Sequence, residues 1–391
     1  MEGDFIKIKK WLLPLSWLYG LGVKLRNTMF EIGILKVRSF DVPVISVGNI
    51  TVGGTGKTPH VEYLANMLRD QFHVAVLSRG YKRKSKGFIL ADNKTTMAEI
   101  GDEPYQMKQK FPNVKVAVDK NRCHGIDILM EQDKQLDVVL LDDAFQHRYV
   151  NPGINILLVD YHRLITYDKL LPAGRLREPL NGKDRADIVI VTKCPKELKP
   201  MEYRVITKAM GLYPYQQLFF TSLSYDKLKP VFKDCKPKAA PLLTELTDTH
   251  TLLLTGIASP EQLEHDLSPL IPHLSLLTFS DHHRFRKKDI QHINRSFAAL
   301  ESPKCIITTE KDATRLQMTE GLSDEVRQNI YALPVRIHFM QEQEESFHNH
   351  IIGYVLKNSR NSILVKNKDE RKPQDSNHSG NRPRTISFRN N

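Results

Sequence analysis

A glycine-rich segment between residues 48 and 58 carries the clearest chemistry in the sequence. It reads Gly-Asn-Ile-Thr-Val-Gly-Gly-Thr-Gly-Lys-Thr and follows the strand-like run Val-Ile-Ser-Val at 44–47. Glycines let backbone N–H groups approach phosphate oxygens, Lys57 adds a positive charge, and the hydroxyl of Thr58 is a suitable ligand for Mg²⁺. A helix predicted from about residue 58 to 69 would point its positive end at the loop. The segment therefore predicts that the protein handles a nucleoside triphosphate.

The loop departs from the common G-x-x-x-x-G-K-[ST] pattern at one position, because Thr51 stands where the first glycine falls. A glycine-rich turn with a chance Gly-Lys-Thr is the alternative, but the strand before the loop and the helix after it argue against that alternative. The residues predicted to contact the nucleotide are Thr51, Val52, Gly53, Gly54, Thr55, Gly56, Lys57 and Thr58.

Acidic residues at the end of another apolar run are the expected partners of this loop. The run 138–141 is followed by Asp142 and Asp143. A carboxylate at that position holds Mg²⁺ directly or through water, opposite Thr58. The alternative for Asp142 is a cap on the next turn. The pattern indicates a metal role for at least one of the pair and leaves open which one.

Two further polar clusters could act on a substrate hydroxyl. Asp102 and Glu103 begin a predicted helix, where acidic residues are also common as simple caps. His282 and His283 follow the run 274–279, and adjacent histidines point in different directions. A histidine near neutrality, close to an aspartate, is suited to removing a proton from an alcohol. Additional zinc ligands at suitable spacing are not evident nearby.

Short β-branched runs alternate with helix-length segments, which predicts a mostly parallel sheet with helices on both faces. A Lys- and Pro-rich stretch at 227–241 reads as a connection to a second, smaller α/β domain. The predicted division is an N-terminal helical segment at 1–42, a P-loop core at 43–226, a smaller α/β domain at 227–356, and a disordered basic tail at 357–391.

Charge and cysteine content limit the possible partners. The net charge is +12, but nine Lys/Arg against three acids in residues 357–391 place +6 of it in the tail. Such a tail contacts anionic lipid or nucleic acid, or is simply solvated. The four cysteines are scattered, which argues against structural zinc and a disulfide framework and fits a reducing compartment.

The N-terminal segment 11–23 is uncharged, follows lysines at 7, 9 and 10, and contains both tryptophans of the chain. Its thirteen residues are short of the roughly 20 that span a bilayer. Aromatic rings with flanking lysines favour the membrane interface. The prediction is a segment that lies in or dips into the cytoplasmic leaflet of the membrane, and the alternative is an amphipathic helix packed on the domain.

Taken together, these residues resemble the tetraacyldisaccharide 4'-kinases of lipid A synthesis. The resemblance is collinear from about residue 11 to 335 and rests on an ordered set of motifs. They are Leu-Leu-Pro-Leu-Ser-Trp-Leu-Tyr-Gly, the variant loop, Ser-Arg-Gly-Tyr, Gly-Asp-Glu-Pro, Asp-Asp-x-x-Gln-His, Leu-Pro-Ala-Gly-x-x-Arg-Glu, Asp-His and Thr-Glu-Lys-Asp. The family itself carries threonine in place of the first loop glycine.

The resemblance implies transfer of the γ-phosphate of ATP to the 4'-hydroxyl of tetraacyldisaccharide 1-phosphate, which forms lipid IVA. It implies Asp102 and His282 as a catalytic pair that forms when the two domains close, and Thr58, Asp143 and Glu103 around Mg²⁺. It also implies a lipid substrate, a membrane surface and a location at the cytoplasmic face of the inner membrane of a Gram-negative bacterium. Neither nucleic acid nor an obligate protein partner is expected.

A membrane-associated P-loop ATPase that acts as a switch, without a small-molecule acceptor, is the rival interpretation. It accounts for the loop and Asp143 but leaves the segments of Asp102 and His282 unused. A nucleic-acid-binding ATPase draws only on the net charge.

Overall fold

The computed structural model describes residues 8–232, 234, 240–257, 260–281 and 283–359. The predicted catalytic residue His282 and the tail from residue 360 lie outside these ranges. The strands are β1 (Val44–Gly48), β2 (Val74–Ser78), β3 (Ile89–Leu90), β4 (Lys115–Val118), β5 (Val138–Asp142), β6 (Ile154–Asp160), β7 (Ile188–Cys194), β8 (Gln217–Tyr225), β9 (Lys229–Pro230), β10 (His250–Thr255), β11 (Leu274–Thr278), β12 (Lys304–Thr309), β13 (Ile330–Leu333) and β14 (Val335–Phe339). The helices are α1 (Leu13–Glu31), α2 (Lys57–Leu68), α3 (Met97–Ile100), α4 (Asp102–Lys110), α5 (Arg122–Gln132), α6 (Pro200–Met210), α7 (Pro260–Leu267), α8 (Lys287–Ala298), α9 (Glu310–Gln317), α10 (Asp324–Gln328) and α11 (Glu344–Asn358).

Within these ranges the strands form one sheet of nine and one of five. The larger sheet has the order β14-β8-β7-β6-β1-β5-β2-β4-β3, and the smaller has the order β11-β10-β12-β13-β9. Pairing is parallel except for β14 with β8, β3 with β4, and β13 with β9. The mostly parallel α/β fold predicted from the apolar runs is confirmed.

Helices cover both faces of the larger sheet. Successive side chains of a strand point to opposite faces, so alternate residues of one strand pack on different helices. Val138 and Leu140 of β5 pack in the same apolar cluster as Leu64 of α2. Their neighbour Val139 packs on the other side, in the cluster that contains Ile126 of α5. Every residue of β5 is buried, as expected for a strand covered on two sides.

Two adjacent chain segments connect the sheets. The chain leaves the larger sheet after β8 and returns through β13 and β14, and the backbone N of Asp226 donates to the carbonyl of Pro334 at 3.0 Å. Strand β14 then pairs with β8 from Val335 opposite Tyr225 to Phe339 opposite Thr221. Helix α11 packs on the larger sheet through Phe347. The structure thus attaches residues 335–358 to the larger sheet, whereas the predicted division groups most of them with the smaller domain. The domain boundaries themselves stay a prediction.

Helix α1 packs on the segment 170–177, which we call the strap. The hydroxyl of Ser16 donates to the carbonyl of Leu170 at 3.0 Å and accepts from the backbone N of Ala173 at 3.0 Å. On its other side the strap binds the phosphate-binding loop, since Val52 N donates to the carbonyl of Arg175 at 2.8 Å. The strap therefore joins α1 to the loop.

The outward face of α1 is apolar. Leu18, Leu21 and Leu25 recur at helical spacing and are exposed, and Trp17 beside them is 79 % exposed. None of the helices in the described part of the chain combines the length and the apolarity that a membrane span requires.

Helices α4 and α9 bring the two sheets together through ion pairs. Lys110, at the end of α4, contacts Glu62 of α2 at 2.7 Å and Glu310 of α9 at 2.9 Å. Burial raises the pKa of Glu62, and the positive charge of Lys110 opposes that shift. One cation therefore links the helix of the phosphate-binding loop, helix α4 and the smaller sheet.

Replacing Lys110 with Met should lower the free energy of unfolding by about 2 kcal/mol, because it leaves the buried carboxylate of Glu62 without its charged partner. Urea unfolding of the purified protein measures this loss. Lys115→Met is the matched control, since Lys115 is more exposed and pairs only with Asp133 among the ion pairs of the described residues; its loss should stay below about 1 kcal/mol. Equal losses in the two variants would contradict the prediction.

Candidate active site

Glycines allow the phosphate-binding loop to turn tightly at the carboxyl edge of the larger sheet. A Cβ atom at Gly48 would lie 2.7 Å from the Cβ of Phe145 and 2.8 Å from its backbone N, so a side chain does not fit there. Gly56, directly before α2, has a φ of +78° in the left-handed region. The backbone therefore reaches the start of α2 with the amide groups of the helix at the loop.

Side-chain hydrogen bonds hold this loop in one shape. Nδ2 of buried Asn49 donates to Oγ1 of Thr55 at 2.9 Å and to Oγ1 of Thr51 at 3.3 Å. The hydroxyl of Thr192, at the carboxyl half of β7, donates to the carbonyl of Thr55 at 3.1 Å. Thr51 is buried and accepts a hydrogen bond where the common pattern has glycine. That bond gives a physical reason for the variant. The nucleotide contacts of residues 51–58 stay a prediction.

His60, one turn into α2, connects the loop to the far side of the sheet. Its Nδ1 donates to the carbonyl of Gly56 at 2.7 Å, and its Nε2 lies 3.1 Å from the hydroxyl of Thr221 on β8. Because a carbonyl only accepts, the neutral ring carries its proton on Nδ1, and Nε2 accepts from the threonine. Burial lowers the pKa of His60 to about 4. The imidazole is therefore a neutral brace between loop and sheet.

The acidic pair lies beside the loop because β1 and β5 are adjacent and parallel, with Val47 opposite Asp142. Asp143 follows with a φ of +48°, which aspartate tolerates better than most residues. Its carboxylate is 3.7 Å from Nζ of Lys57 and 4.0 Å from Nη1 of Arg177. Two cations thus face Asp143 from the loop and from the strap.

Asp142 is the more buried member of the pair. The hydroxyl of Ser78 donates to its Oδ2 at 3.4 Å, while its Oδ1 has no hydrogen-bond partner in the described part of the chain. Burial, together with the carboxylates of Glu103 and Asp143, raises the pKa of Asp142 to about 7. Arg122 lies nearby and donates to the backbone carbonyl of Asp142 at 3.1 Å. A buried carboxylate oxygen without a donor is a position suited to a cation or its bound water.

The donor set fits Mg²⁺ held together with nucleotide phosphates. The described residues contain no cluster of three His, Cys, Asp or Glu side chains that would hold a metal by themselves. Mg²⁺ is usually bound by one or two carboxylates plus substrate phosphates, with waters completing the shell. Asp143 and the hydroxyl of Thr58 are such ligands. Their metal role stays a prediction, as does that of Glu103.

Asp102 and Glu103 begin α4 directly after Gly101, whose φ is +93°. Both carboxylates meet cations of α9. Nε and Nη2 of Arg315 donate to Oδ2 of Asp102 at 2.8 and 2.6 Å, and Nζ of Lys311 donates to Oε1 of Glu103 at 3.1 Å. The structure therefore brings the predicted acidic turn of the larger sheet against the smaller sheet.

Asp281, the residue before His282, reaches the same interface. Nζ of Lys311 is 3.7 Å from Oδ1 of Asp281, so the residue before His282 shares a cation with the acidic turn. The neighbouring His283 stacks on Phe279, with ring centroids 4.9 Å apart, and its Nε2 is 2.9 Å from Oδ2 of Asp289. His283 thus has a packing role, and the catalytic role of His282 stays a prediction.

Comparison with known proteins gives the geometry its context. A family model described as Tetraacyldisaccharide-1-P 4'-kinase matches residues 8–354. The chain belongs to the tetraacyldisaccharide-1-P 4'-kinase family. A tetraacyldisaccharide 4'-kinase of Phocaeicola vulgatus is 59% identical over 365 residues, which cover 93% of this chain and 99% of that protein. One of Bacteroides thetaiotaomicron is 55% identical, with 93% and 97% covered.

A solved structure of the same family agrees in fold. The crystal structure of LpxK from Aquifex aeolicus, in complex with ATP, has a TM-score of 0.67 and 32% sequence identity to this chain. The match covers 88% of this chain and 99% of that one. The resemblance inferred from the motifs is confirmed, and the ATP in that crystal structure agrees with the kind of nucleotide predicted from the loop of this chain.

The sequence did not point to three residues that contact the loop or the acidic residues of this edge. They are His60, Arg122 and Arg315. Arg122 follows β4 at the carboxyl edge of the sheet, so the rule that sites gather at that edge would have selected it. His60 and Arg315 lie inside helices and act through contacts with distant residues. Helical spacing alone carries no signal for such contacts.

The free energy of unfolding should depend on pH through His60. Above pH 6.5 the imidazole of His60 is neutral in both the folded and the unfolded protein. Below that value the unfolded chain binds a proton that the folded one resists down to about pH 4. Stability should therefore fall by up to about 3 kcal/mol as the pH drops through this window. His60→Gln should flatten the fall in melting temperature between pH 7 and 4.

The exposed His292 provides the control, and His292→Gln should leave the slope of the wild-type protein unchanged. A His60→Gln protein whose melting temperature falls as steeply as the wild type would refute this role of His60.

Proposed function

We propose that this chain transfers the γ-phosphate of ATP to the 4'-hydroxyl of tetraacyldisaccharide 1-phosphate and so forms lipid IVA. The observation that carries the proposal is the arrangement of the phosphate-binding loop and the acidic pair at one edge of the larger sheet. The match of residues 8–354 to the kinase family supports it. At that edge Nζ of Lys57 lies 3.7 Å from the carboxylate of Asp143. Phosphoryl transfer to an alcohol requires a phosphate-binding loop, a metal-binding carboxylate and a residue that positions or deprotonates the hydroxyl. We assign these roles to the loop, to Asp143, and to His282 with Asp102.

The loop and the strap handle the triphosphate in this proposal. The amide groups of residues 51–58 and the ammonium group of Lys57 hold the β- and γ-phosphates. Thr58, Asp143 and Glu103 hold Mg²⁺, which, when bound, offsets the negative charge of the phosphates. Arg177, whose Nη1 lies 4.0 Å from the carboxylate of Asp143, adds a second positive charge beside the phosphates. Positioning and charge compensation therefore supply most of the rate enhancement.

The acceptor hydroxyl is activated at the interface of the two sheets. His282 removes the proton from the 4'-hydroxyl, and Asp102 orients the imidazole and stabilises its charged form. The contact of Lys311 with both Glu103 and Asp281 supports this placement, because it draws the segment before His282 to the acidic turn. Contact of the two sheets also excludes water, which limits wasteful hydrolysis of ATP.

The substrate and the surface of α1 support a membrane location. An acylated substrate keeps its chains in the bilayer, and α1 exposes Trp17, Leu18 and Leu21 on its outer face. We propose that the protein works at the cytoplasmic face of the inner membrane of a Gram-negative bacterium, because a kinase of an acylated sugar needs access to both ATP and the bilayer. The rival interpretation as a nucleotide-driven switch is not favoured, because relatives covering 93% of the chain are named as kinases.

Transfer of radiolabelled γ-phosphate from ATP to tetraacyldisaccharide 1-phosphate in detergent micelles tests the function. The wild type should form labelled lipid. Lys57→Ala should abolish most turnover, and His282→Ala should lower kcat by about 10²–10⁴. His283→Ala is the matched control, because His283 contacts Phe279 and Asp289, and its kcat should stay within about threefold of the wild type.

A wild-type protein that hydrolyses ATP but yields no labelled lipid would refute the kinase function. A His283→Ala protein that is as inactive as His282→Ala would refute the assignment of the base alone.

The membrane contact predicts that Trp17→Asp weakens binding to vesicles of phosphatidylethanolamine and phosphatidylglycerol by at least about tenfold, because burial of one large apolar side chain contributes about 1.5–3 kcal/mol. Sedimentation with the vesicles measures it. Met201→Asp, on the 65 % exposed Met201 of α6, is the control and should bind like the wild type. Equal binding by all three proteins would contradict a membrane role for α1.

A further inference from the structure

Arg315 is a buried cation at the contact between the two sheets. It belongs to α9 of the smaller sheet and is 4% exposed. Its Nε and Nη2 both donate to Oδ2 of Asp102 on the larger sheet, at 2.8 and 2.6 Å. Two N–H groups of one planar, rigid guanidinium that converge on a single oxygen fix the position of that oxygen.

The other end of the same guanidinium is anchored within the smaller sheet. Nη1 of Arg315 donates to Oδ1 of Asp312 at 2.8 Å and to the carbonyl of Gly256 at 3.3 Å. Asp312 is fully buried, and its Oδ2 accepts from the backbone N of Gly256 at 2.8 Å and from the hydroxyl of Thr309 at 2.7 Å. The guanidinium is therefore held in place by residues at the carboxyl ends of β10 and β12.

This arrangement gives Asp102 a fixed partner on the smaller sheet, whose strand β11 ends at Thr278, four residues before His282 in the sequence. We infer that Arg315 is a positioning residue for phosphoryl transfer. It orients the carboxylate of Asp102 when the two sheets meet, and Asp312 orients Arg315 in turn. The inference rests on the proposed kinase function, in which Asp102 acts with His282. A base and its carboxylate partner that come from different sheets require such a reference point, because a displacement of about 1 Å costs on the order of 100-fold in rate.

Orientation is distinct from simple adhesion of the two sheets. Lys110 also bridges them, through Glu62 and Glu310, but these contacts lie at the opposite end of α4 from Asp102. Loss of the Lys110 contacts weakens the interface without touching the carboxylate of Asp102. Variants of Lys110 and Arg315 can therefore distinguish a loss of contact between the sheets from a loss of orientation of Asp102.

Steady-state kinetics of the full-length protein, with ATP and tetraacyldisaccharide 1-phosphate in micelles, provide the test. Arg315→Gln should lower kcat on the order of 100-fold while KM for ATP changes less than about threefold. Arg315→Lys keeps the charge but loses the fork, so it should recover part of kcat. Asp312→Asn should lower kcat in the same direction. Lys110→Met should reduce kcat less than about tenfold.

Arg38→Gln is the matched control, since Arg38 forms an exposed two-nitrogen pair with Asp127 of α5, which takes no part in the contact between the two sheets. Its kinetics should equal those of the wild type, and melting temperatures should show that every variant is folded at the assay temperature. Equal losses of kcat in Arg315→Gln and Lys110→Met, or wild-type kcat in a folded Arg315→Gln protein, would overturn the inference. Absence of lipid product from the wild-type protein would instead refute the kinase function.

Discussion

The active-site edge depends on one pairing, the parallel register of β1 with β5. Val47 lies opposite Asp142 in that register, so the phosphate-binding loop and the acidic pair leave the sheet side by side. The fit is tight, because Gly48 touches the backbone of Phe145 and leaves no space for a side chain. A shift of one residue would turn Asp142 to the opposite face of the sheet. The close packing of Gly48 against Phe145 opposes that shift, because another residue in the place of either one would not fit the same contact.

The same edge of the larger sheet contains buried polar atoms that lack hydrogen-bond partners among the described residues. Burial raises the pKa of Asp142 to about 7 and lowers that of Arg122 to about 10, and Nε of Arg122 has no hydrogen-bond partner among the residues described. An unsatisfied buried polar group costs about 1–3 kcal/mol. A bound ligand that completes the interactions of such groups is one physical reason for them to persist. The electrostatics therefore point to the same edge as the glycine-rich sequence.

The sequence predicted this edge well because its signals are local. A strand, a glycine-rich loop and an acidic strand end are each visible within about a dozen residues, and the alternating apolar runs indicated the parallel sheet. The attachment of β14 to β8 was not visible, since it joins residues 335–339 to 221–225 across the whole smaller sheet. Arg315 and His60 were missed for the same reason. Their roles come from contacts with Asp102 and Thr221, more than 150 residues away along the chain, and no periodicity encodes such a distance.

The strap between α1 and the phosphate-binding loop sets a geometric limit on the acceptor. The backbone N of Ala173 donates a hydrogen bond to the hydroxyl of Ser16 on α1. Two residues later, the carbonyl of Arg175 accepts a hydrogen bond from the backbone N of Val52 in the loop. Two residues of chain span at most about 7 Å. If α1 rests on a bilayer, the phosphates sit at a nearly fixed height above the acyl chains, with no flexible tether between them. A sugar hydroxyl within reach of that height would be phosphorylated, and one held deeper or farther out would not. On that condition, the length of the headgroup, measured from the membrane surface, would become a criterion of substrate selection.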